Sequence, residues 1–445
     1  MSRRTLRVLA AIVTCAVVAA ACGDDDASTT NDPDPTTTAP TSTSPPSVGE
    51  PVVPMVLPVA DRADSATDPA IAGEAISAFG LDLLGALRTD SPEANVAASP
   101  TSIAIALAML EPGASGAAVE QLHELLRIDD PTRWHQSMSA LETSIEDREP
   151  WPGNDGDEPG EVIARIANAA YLQTGYPFEP AYLEAIGRAY GPVLNEVDFE
   201  PDPDAVGHAI NEFVADATNE RITDLIADGV IDPATVLALV NALYFKASWL
   251  ETFDAEATED GSFTRFDGST VTVPMMTGES SGSLQGDGWV GAEKSYVGGF
   301  AVQFVLPEEG RFDEIAADLD AVFADWQSHP SSRSLLVVPR FETRVNTELS
   351  DALMALGLDA PYASGGLNGI ASDPRLVIDR VIHETFLAMD EEGTEAAAAT
   401  VVLAFPTSAG GPPVDVELDR PFLFRIIDGE SGATLFIGQV ADPTA

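Results

Sequence analysis

Cysteine is nearly absent from this chain. Cys15 and Cys22 are its two cysteines, and both lie in the first two dozen residues. The body beyond them has no thiol, which excludes a disulfide framework, a thiolate zinc site and a cysteine nucleophile there. Positive charge is scarce as well: 22 Lys and Arg stand against 72 Asp and Glu, for a formal net charge of −50. Binding to nucleic acid by counterion release needs clustered Lys or Arg, so no nucleic-acid partner is expected. Solubility or adaptation to salt accounts for the charge without a specific cationic partner. Between Leu126 and Glu161 the cations are Arg127, Arg133 and Arg148 among many acids, so no heparin-like polyanion is expected either. The five histidines (His123, His135, His208, His329, His383) show no ligand spacing, and neither a metal nor a cofactor is implied. No repeat of 20–50 residues is visible.

What is present begins with an export signal over 1–21. Arg3, Arg4 and Arg7 precede an apolar run, Val8 to Ala21, that is short for a membrane span. The ending Ala19-Ala20-Ala21-Cys22-Gly23 resembles the lipobox of bacterial lipoproteins, in which the cysteine is acylated and becomes the new N-terminus. Ala19 stands where that motif usually has Leu, and an ordinary secretory signal cut after an alanine is the alternative. Either reading exports the protein: anchored by a lipid on Cys22, its sole link to a membrane, or secreted. Residues 22–66, rich in Thr, Pro, Ser and Asp, have little to bury and read as a disordered tether.

From 67 to 445 the composition is globular, with 45% hydrophobic residues in the chain as a whole. Ile71, Ile76, Phe79, Leu83, Leu84 and Leu87 mark one face of a helix. Pro100 to Leu110 reads as a buried helix, with Ser99 as N-cap and Pro100 at the first position. Val236–Phe245, Ala301–Leu306, Leu335–Val338 and Val381–Met389 read as buried strands, and 150–160 as an acidic loop. Helices come early and strands later without regular alternation, so the fold class is α+β.

The segment Glu391-Glu392-Gly393-Thr394-Glu395-Ala396-Ala397-Ala398-Ala399-Thr400 can sit as helix, loop or strand at little steric cost. It resembles the hinge of the reactive-site loop of serpins, the suicide protease inhibitors. Asn95 to Ile103 resembles that family's second helix, and Val240 to Trp249 its central strand. Val273-Pro274-Met275-Met276 and Val416 to Ile426 resemble its later motifs, in family order. The resemblance spans about 67–442. It implies a large main sheet with two smaller sheets, about nine helices and an exposed loop. Ser99, Ser102, Asn241 and His383 match polar positions where the main sheet opens, and Trp249 matches the point where the loop enters it. His383 also reads simply as a hydrogen-bonded core histidine, and Trp249 as a core aromatic.

Insertion as a strand suits this hinge. Strand faces alternate with period two. If Thr394 points inward, so do Ala396, Ala398, Thr400, Val402 and Ala404, all uncharged and small or medium-sized, while Glu395 stays in water. A charge at an inward position would be buried unpaired. The resemblance implies a native state that is metastable and a reactive bond after the seventeenth residue from Glu391, which is Thr407-Ser408. A shifted register would use Phe405 or Leu403. A Thr bait suits an elastase-like or subtilisin-like serine protease, with cysteine proteases as further targets, held by a monomeric inhibitor in a covalent complex. No residue is expected to be catalytic, and the chain is not expected to be an enzyme. Two rivals remain. A non-inhibitory serpin would act as a binding or carrier module, often with bulky or charged residues at inward hinge positions. A serine hydrolase would use Gly278-Glu279-Ser280-Ser281-Gly282, but that elbow needs a helix directly after the serine, and a glycine-rich stretch follows.

Overall fold

The structure, a computed structural model, describes residues 7–10, 55–57, 66–149, 160–329, 331–394 and 413–445. Cys22, the alanine run from 396 and the Thr407–Ser408 bond lie outside the described residues, as does the acidic loop from 150 to 159. Nine α-helices occur among the described residues: α1 (Ala70–Asp90), α2 (Pro100–Leu110), α3 (Ala117–Leu125), α4 (Pro131–Glu146), α5 (Pro180–Tyr190), α6 (Pro203–Ala217), α7 (Phe312–Ala317), α8 (Leu319–Ser328) and α9 (Ser350–Ala355). Four of them, α2, α4, α5 and α6, start with Pro, where its missing N–H costs nothing.

Three sheets carry the strands. The largest contains β1 (Arg7–Ala10), β2 (Met55–Leu57), β4 (Val162–Gln173), β5 (Val193–Val197), β6 (Thr235–Ser248), β13 (Phe341–Glu348), β14 (Val377–Met389) and β15 (Gly393–Thr394). A six-stranded sheet orders β3 (Val96–Ala98), β18 (Thr434–Val440), β17 (Phe422–Asp428), β11 (Phe300–Pro307), β10 (Trp289–Ser295) and β9 (Gly282–Gly286). The third joins β16 (Val416–Glu417), β12 (Leu335–Pro339), β8 (Thr270–Glu279) and β7 (Glu259–Thr264). The architecture is mixed α+β with one dominant sheet and two smaller ones, as the resemblance leads one to expect.

The core explains why two segments are apolar throughout. All eleven residues of α2 are buried, because the helix packs against both β6 of the main sheet and β18 of the second. β6 is central in its sheet, flanked by β4 on one side, so its run shows no polar alternation; only Asn241 and Lys246 are half-buried.

The slot between β6 and β14 holds two short strands. At one end β15 pairs antiparallel with both, through Thr394 opposite Ala247 and Met389. At the other end β1 pairs parallel with both, Arg7 opposite Thr235 and Val377. Residues 7–10 belong to the stretch read from sequence as an export signal and 55–57 to the tether; in the full chain 7–10 pair between β6 and β14 of the main sheet. Met55–Leu57 pairs antiparallel with β5, adding an edge strand with Met55 and Val56 largely exposed.

Candidate functional site

Asp390 turns the chain at the end of β14. Its carboxylate accepts from the backbone N–H groups of Glu392 (2.9 Å) and Gly393 (3.1 Å), and its own N–H donates to the Gly393 carbonyl at 3.0 Å. This tight turn sends Gly393 and Thr394 back between β14 and β6. Gly393 has φ +157°, and a Cβ there would collide with the Ala247 carbonyl oxygen, so glycine is required by close approach as well as by backbone conformation.

Three hydrogen bonds hold the turn from below. The Trp249 N–H donates to the Glu392 carbonyl (2.9 Å), the Trp249 indole Nε1 to the Asp390 carbonyl (2.8 Å), and the Phe253 N–H to the Glu391 carbonyl (2.9 Å). Trp249 stacks on Tyr296 with ring centroids 4.2 Å apart, and Phe253 meets Trp249 edge-on. Thr394 is 1% exposed, and its hydroxyl lies 2.7 Å from that of Tyr296. The Glu391 side chain is tied separately, to the Arg340 guanidinium and to the Thr258 hydroxyl at 2.7 Å. Burial raises the Glu391 carboxyl, but these partners outweigh it and hold it below the usual carboxylate range.

A second cluster lies eight residues back along β6 from Trp249, about 26 Å for an extended strand. Ser99, Ser102, Asn241 and His383 line one small cavity of about 20 Å³, with Val214 of α6 and Phe436 of β18. Ser99 caps α2, its hydroxyl accepting from the Ser102 N–H at 3.2 Å, while its own N–H donates to His383 Nε2 at 2.9 Å. The Thr385 hydroxyl lies 2.9 Å from the same nitrogen. An Nε2 that accepts is unprotonated, and burial pushes His383 down to about 3, so the ring is neutral. Asn241 donates to Asn168 Oδ1 at 2.7 Å, and its own Oδ1 has no hydrogen-bond partner among the described residues. The five residues singled out for sheet opening therefore form two groups: four around this cavity, and Trp249 at the hinge.

Other sequence candidates resolve differently. Ser280 is buried between β8 and β9, its hydroxyl accepting from the Ser334 N–H at 3.1 Å, and strand β9 rather than a helix follows it. The nucleophile elbow is absent. His123 and His135, unrelated by spacing, meet on the two carboxylate oxygens of Glu111, at 2.7 and 2.8 Å. No group of three His, Cys, Asp or Glu among the described residues is placed to hold a metal ion. Sequence reasoning missed Arg340, Tyr296 and Lys294. The last had a readable signal: in period-two alternation Ala292, Lys294 and Tyr296 share the buried face.

Comparison with known proteins agrees with this architecture. Residues 74–443 match the family model described as Serpin (serine protease inhibitor). A serpin-like protein of Thermococcus kodakarensis is 33% identical over 379 residues, covering 83% of this chain and 85% of the relative. The leukocyte elastase inhibitor of Sus scrofa is 32% identical, covering 82% and 97%. Human thyroxine-binding globulin complexed with thyroxine superposes with a TM-score of 0.73 at 25% identity, over 85% of this chain and 100% of the other.

Proposed function

The chain belongs to the serpin family, and on that premise we propose that it is a suicide inhibitor of serine proteases. The observation that carries the reading is the seated hinge: Gly393 and Thr394 already pair as the first two residues of a new strand between β6 and β14. Each further loop residue would slide one position down both neighbours. Six residues beyond Thr394, Thr400 would arrive between Asn241 and His383, since Thr394 faces Ala247 and Met389. That brings a hydroxyl to the polar cavity beside the unpartnered Asn241 carbonyl oxygen.

The chemistry belongs to the target. Its serine hydroxyl attacks the Thr407 carbonyl, the Thr407–Ser408 peptide bond breaks, and the new Ser408 amine leaves with the proton passed through the target's base. An ester now joins Thr407 to the protease. Insertion of about a dozen residues adds about that many backbone hydrogen bonds at roughly 0.5–1.5 kcal/mol each, on the order of 10 kcal/mol in all. That makes the step one-way and drags the acyl-enzyme away before water resolves the ester. No residue of this chain is catalytic. Thr at the bait favours an elastase-like or subtilisin-like target, and a relative named as an elastase inhibitor is consistent with this. Export, with a lipid on Cys22 or by plain secretion, places the inhibitor outside the cell.

The test mixes purified protein with elastase-like and subtilisin-like proteases. A complex stable in SDS, cleaved after Thr407, is the expected result. Clean loop turnover with no complex and no gain in thermal stability would leave the carrier reading, to which the thyroxine-binding globulin likeness would then point.

A further inference from the structure

We propose that Lys294 is a positioning residue for the hinge: its ammonium clamps the rings of Trp249 and Phe253, the two residues that hold the carbonyls of 390–392. The inference rests on the inhibitory reading above and adds a residue to it.

Lys294 is 2% exposed on β10, on the face it shares with Ala292 and Tyr296. A methionine would fill this position with no charge to desolvate. The ammonium is instead placed over aromatic faces: Nζ lies 4.2 Å from the Phe253 ring centroid and 5.7 Å from that of Trp249. It also donates to the Glu279 carbonyl at 3.0 Å, so it ties β10 to the end of β8. The two rings it touches belong to the two residues that supply the three hydrogen bonds to the carbonyls of Asp390, Glu391 and Glu392. Three consecutive hinge carbonyls are thus held by these two residues, one through the Trp249 indole and two through backbone N–H groups, and one buried cation packs on both rings. Cation–π attraction requires the charge, so the clamp loosens when Lys294 loses its proton.

Loss occurs near neutrality. Desolvation pushes Lys294 down to about 8; Glu251 and Glu279 oppose the shift and Arg333 adds to it. These are the charged groups around it, from the β6–β7 connection, the end of β8 and the approach to β12. Arg333 is itself paired with Glu251 and, at 3.0 Å, with Glu279. On the hinge side stand Asp390 and the Glu391–Arg340 pair. A loosened hinge begins insertion later, and more acyl-enzyme is lost to hydrolysis.

The test compares wild type, Lys294→Met and Lys294→Arg from pH 7 to 9.5 against one protease. The moles of inhibitor needed per mole of protease should rise for wild type as pH passes about 8. For Lys294→Met the ratio should be high at every pH, by about 2- to 30-fold, the range to which a cation–π contact converts. Lys294→Arg keeps its charge and should stay low and flat. The thermal midpoint of Lys294→Met should equal or exceed that of wild type, because the variant buries no ammonium, whereas a purely structural role predicts a lowered midpoint. Amide exchange at Trp249 and Phe253 supplies a readout that needs no protease and should accelerate in Lys294→Met. If Lys294→Met matches wild type in exchange and in pH profile, the clamp is refuted whether or not a complex forms. If wild type traps no protease yet exchange accelerates, the clamp stands and the inhibitory reading fails.

Discussion

The Tyr296 and Thr394 hydroxyls meet 2.7 Å apart, linking the residue just after β10 of the second sheet to the second residue of β15 in the first. Thr394 is therefore already on the inner face that a period-two strand assigns to it. Replacing it with arginine would force a charge into that buried position. Thr394→Arg should abolish the SDS-stable complex and turn the protein into a substrate of the same protease. Full inhibition by this variant would refute insertion. Tyr296→Phe, which removes a single hydroxyl contact, should cost only about 0.5–1.5 kcal/mol in urea unfolding.

His383 gives a pH dependence of definite sign. Its folded value, about 3, lies below the ordinary 6.5, so the unfolded chain binds the extra proton between those values. The stability it contributes is complete above 6.5 and is lost progressively as pH falls toward 3. Between pH 6.5 and 4 the loss is on the order of 3 kcal/mol. Urea unfolding of wild type against His383→Gln across this range isolates it: the variant should be less stable at pH 7, with a shallower decline. Parallel declines would mean that His383 contributes nothing to acid sensitivity.

The Arg340–Glu391 pair should matter to the hinge more than to the body. Glu391 is buried and keeps its charge through Arg340 and Thr258. Arg340→Met leaves that carboxylate without its guanidinium and should raise the exchange rate of the hinge amides at 391–394. The global unfolding midpoint should move less than for His383→Gln. An unaltered hinge exchange rate would show that Thr258 alone suffices.

In the full chain, before export would remove residues 1–21, β1 occupies part of the slot that an inserting loop would fill. Ala10 pairs with Leu239, the position that Val402 would take eight residues beyond Thr394. A chain lacking residues 1–21 should therefore gain more thermal stability on loop cleavage than the full chain. Equal gains would show that β1 yields its place freely.

Heparin should leave the rate of complex formation unchanged, because the chain's charge is −50 and the stretch from Leu126 to Glu161 is short of cations. A large, salt-sensitive acceleration would contradict this.

Much of this arrangement is legible in the sequence because local rules and tertiary demands agree. Ser99 and Pro100 announce the start of α2, and the structure realises the cap. Val236–Phe245 reads as a buried strand because β6 is covered throughout, though it runs further, from Thr235 to Ser248. What escaped detection depends on chain distance. Glu111 gathers His123 and His135 from two later helices, a meeting set by how helices pack and not by spacing. Arg340 reaches Glu391 across 51 residues. The pairings of 7–10 and 55–57 carry no alternation signal in the sequence, because open sheet edges accept backbone irrespective of side chains.

The small cavity around Ser99, Asn241 and His383 has one further consequence. It sits beneath a stretch of sheet that no described strand spans between β6 and β14, because β15 ends at Thr394 above it and β1 at Ala10 below. On the proposed mechanism the fold is built to receive one more strand. Its most stable form would be the one reached only after its own chain is cut, and its working life would be a single use.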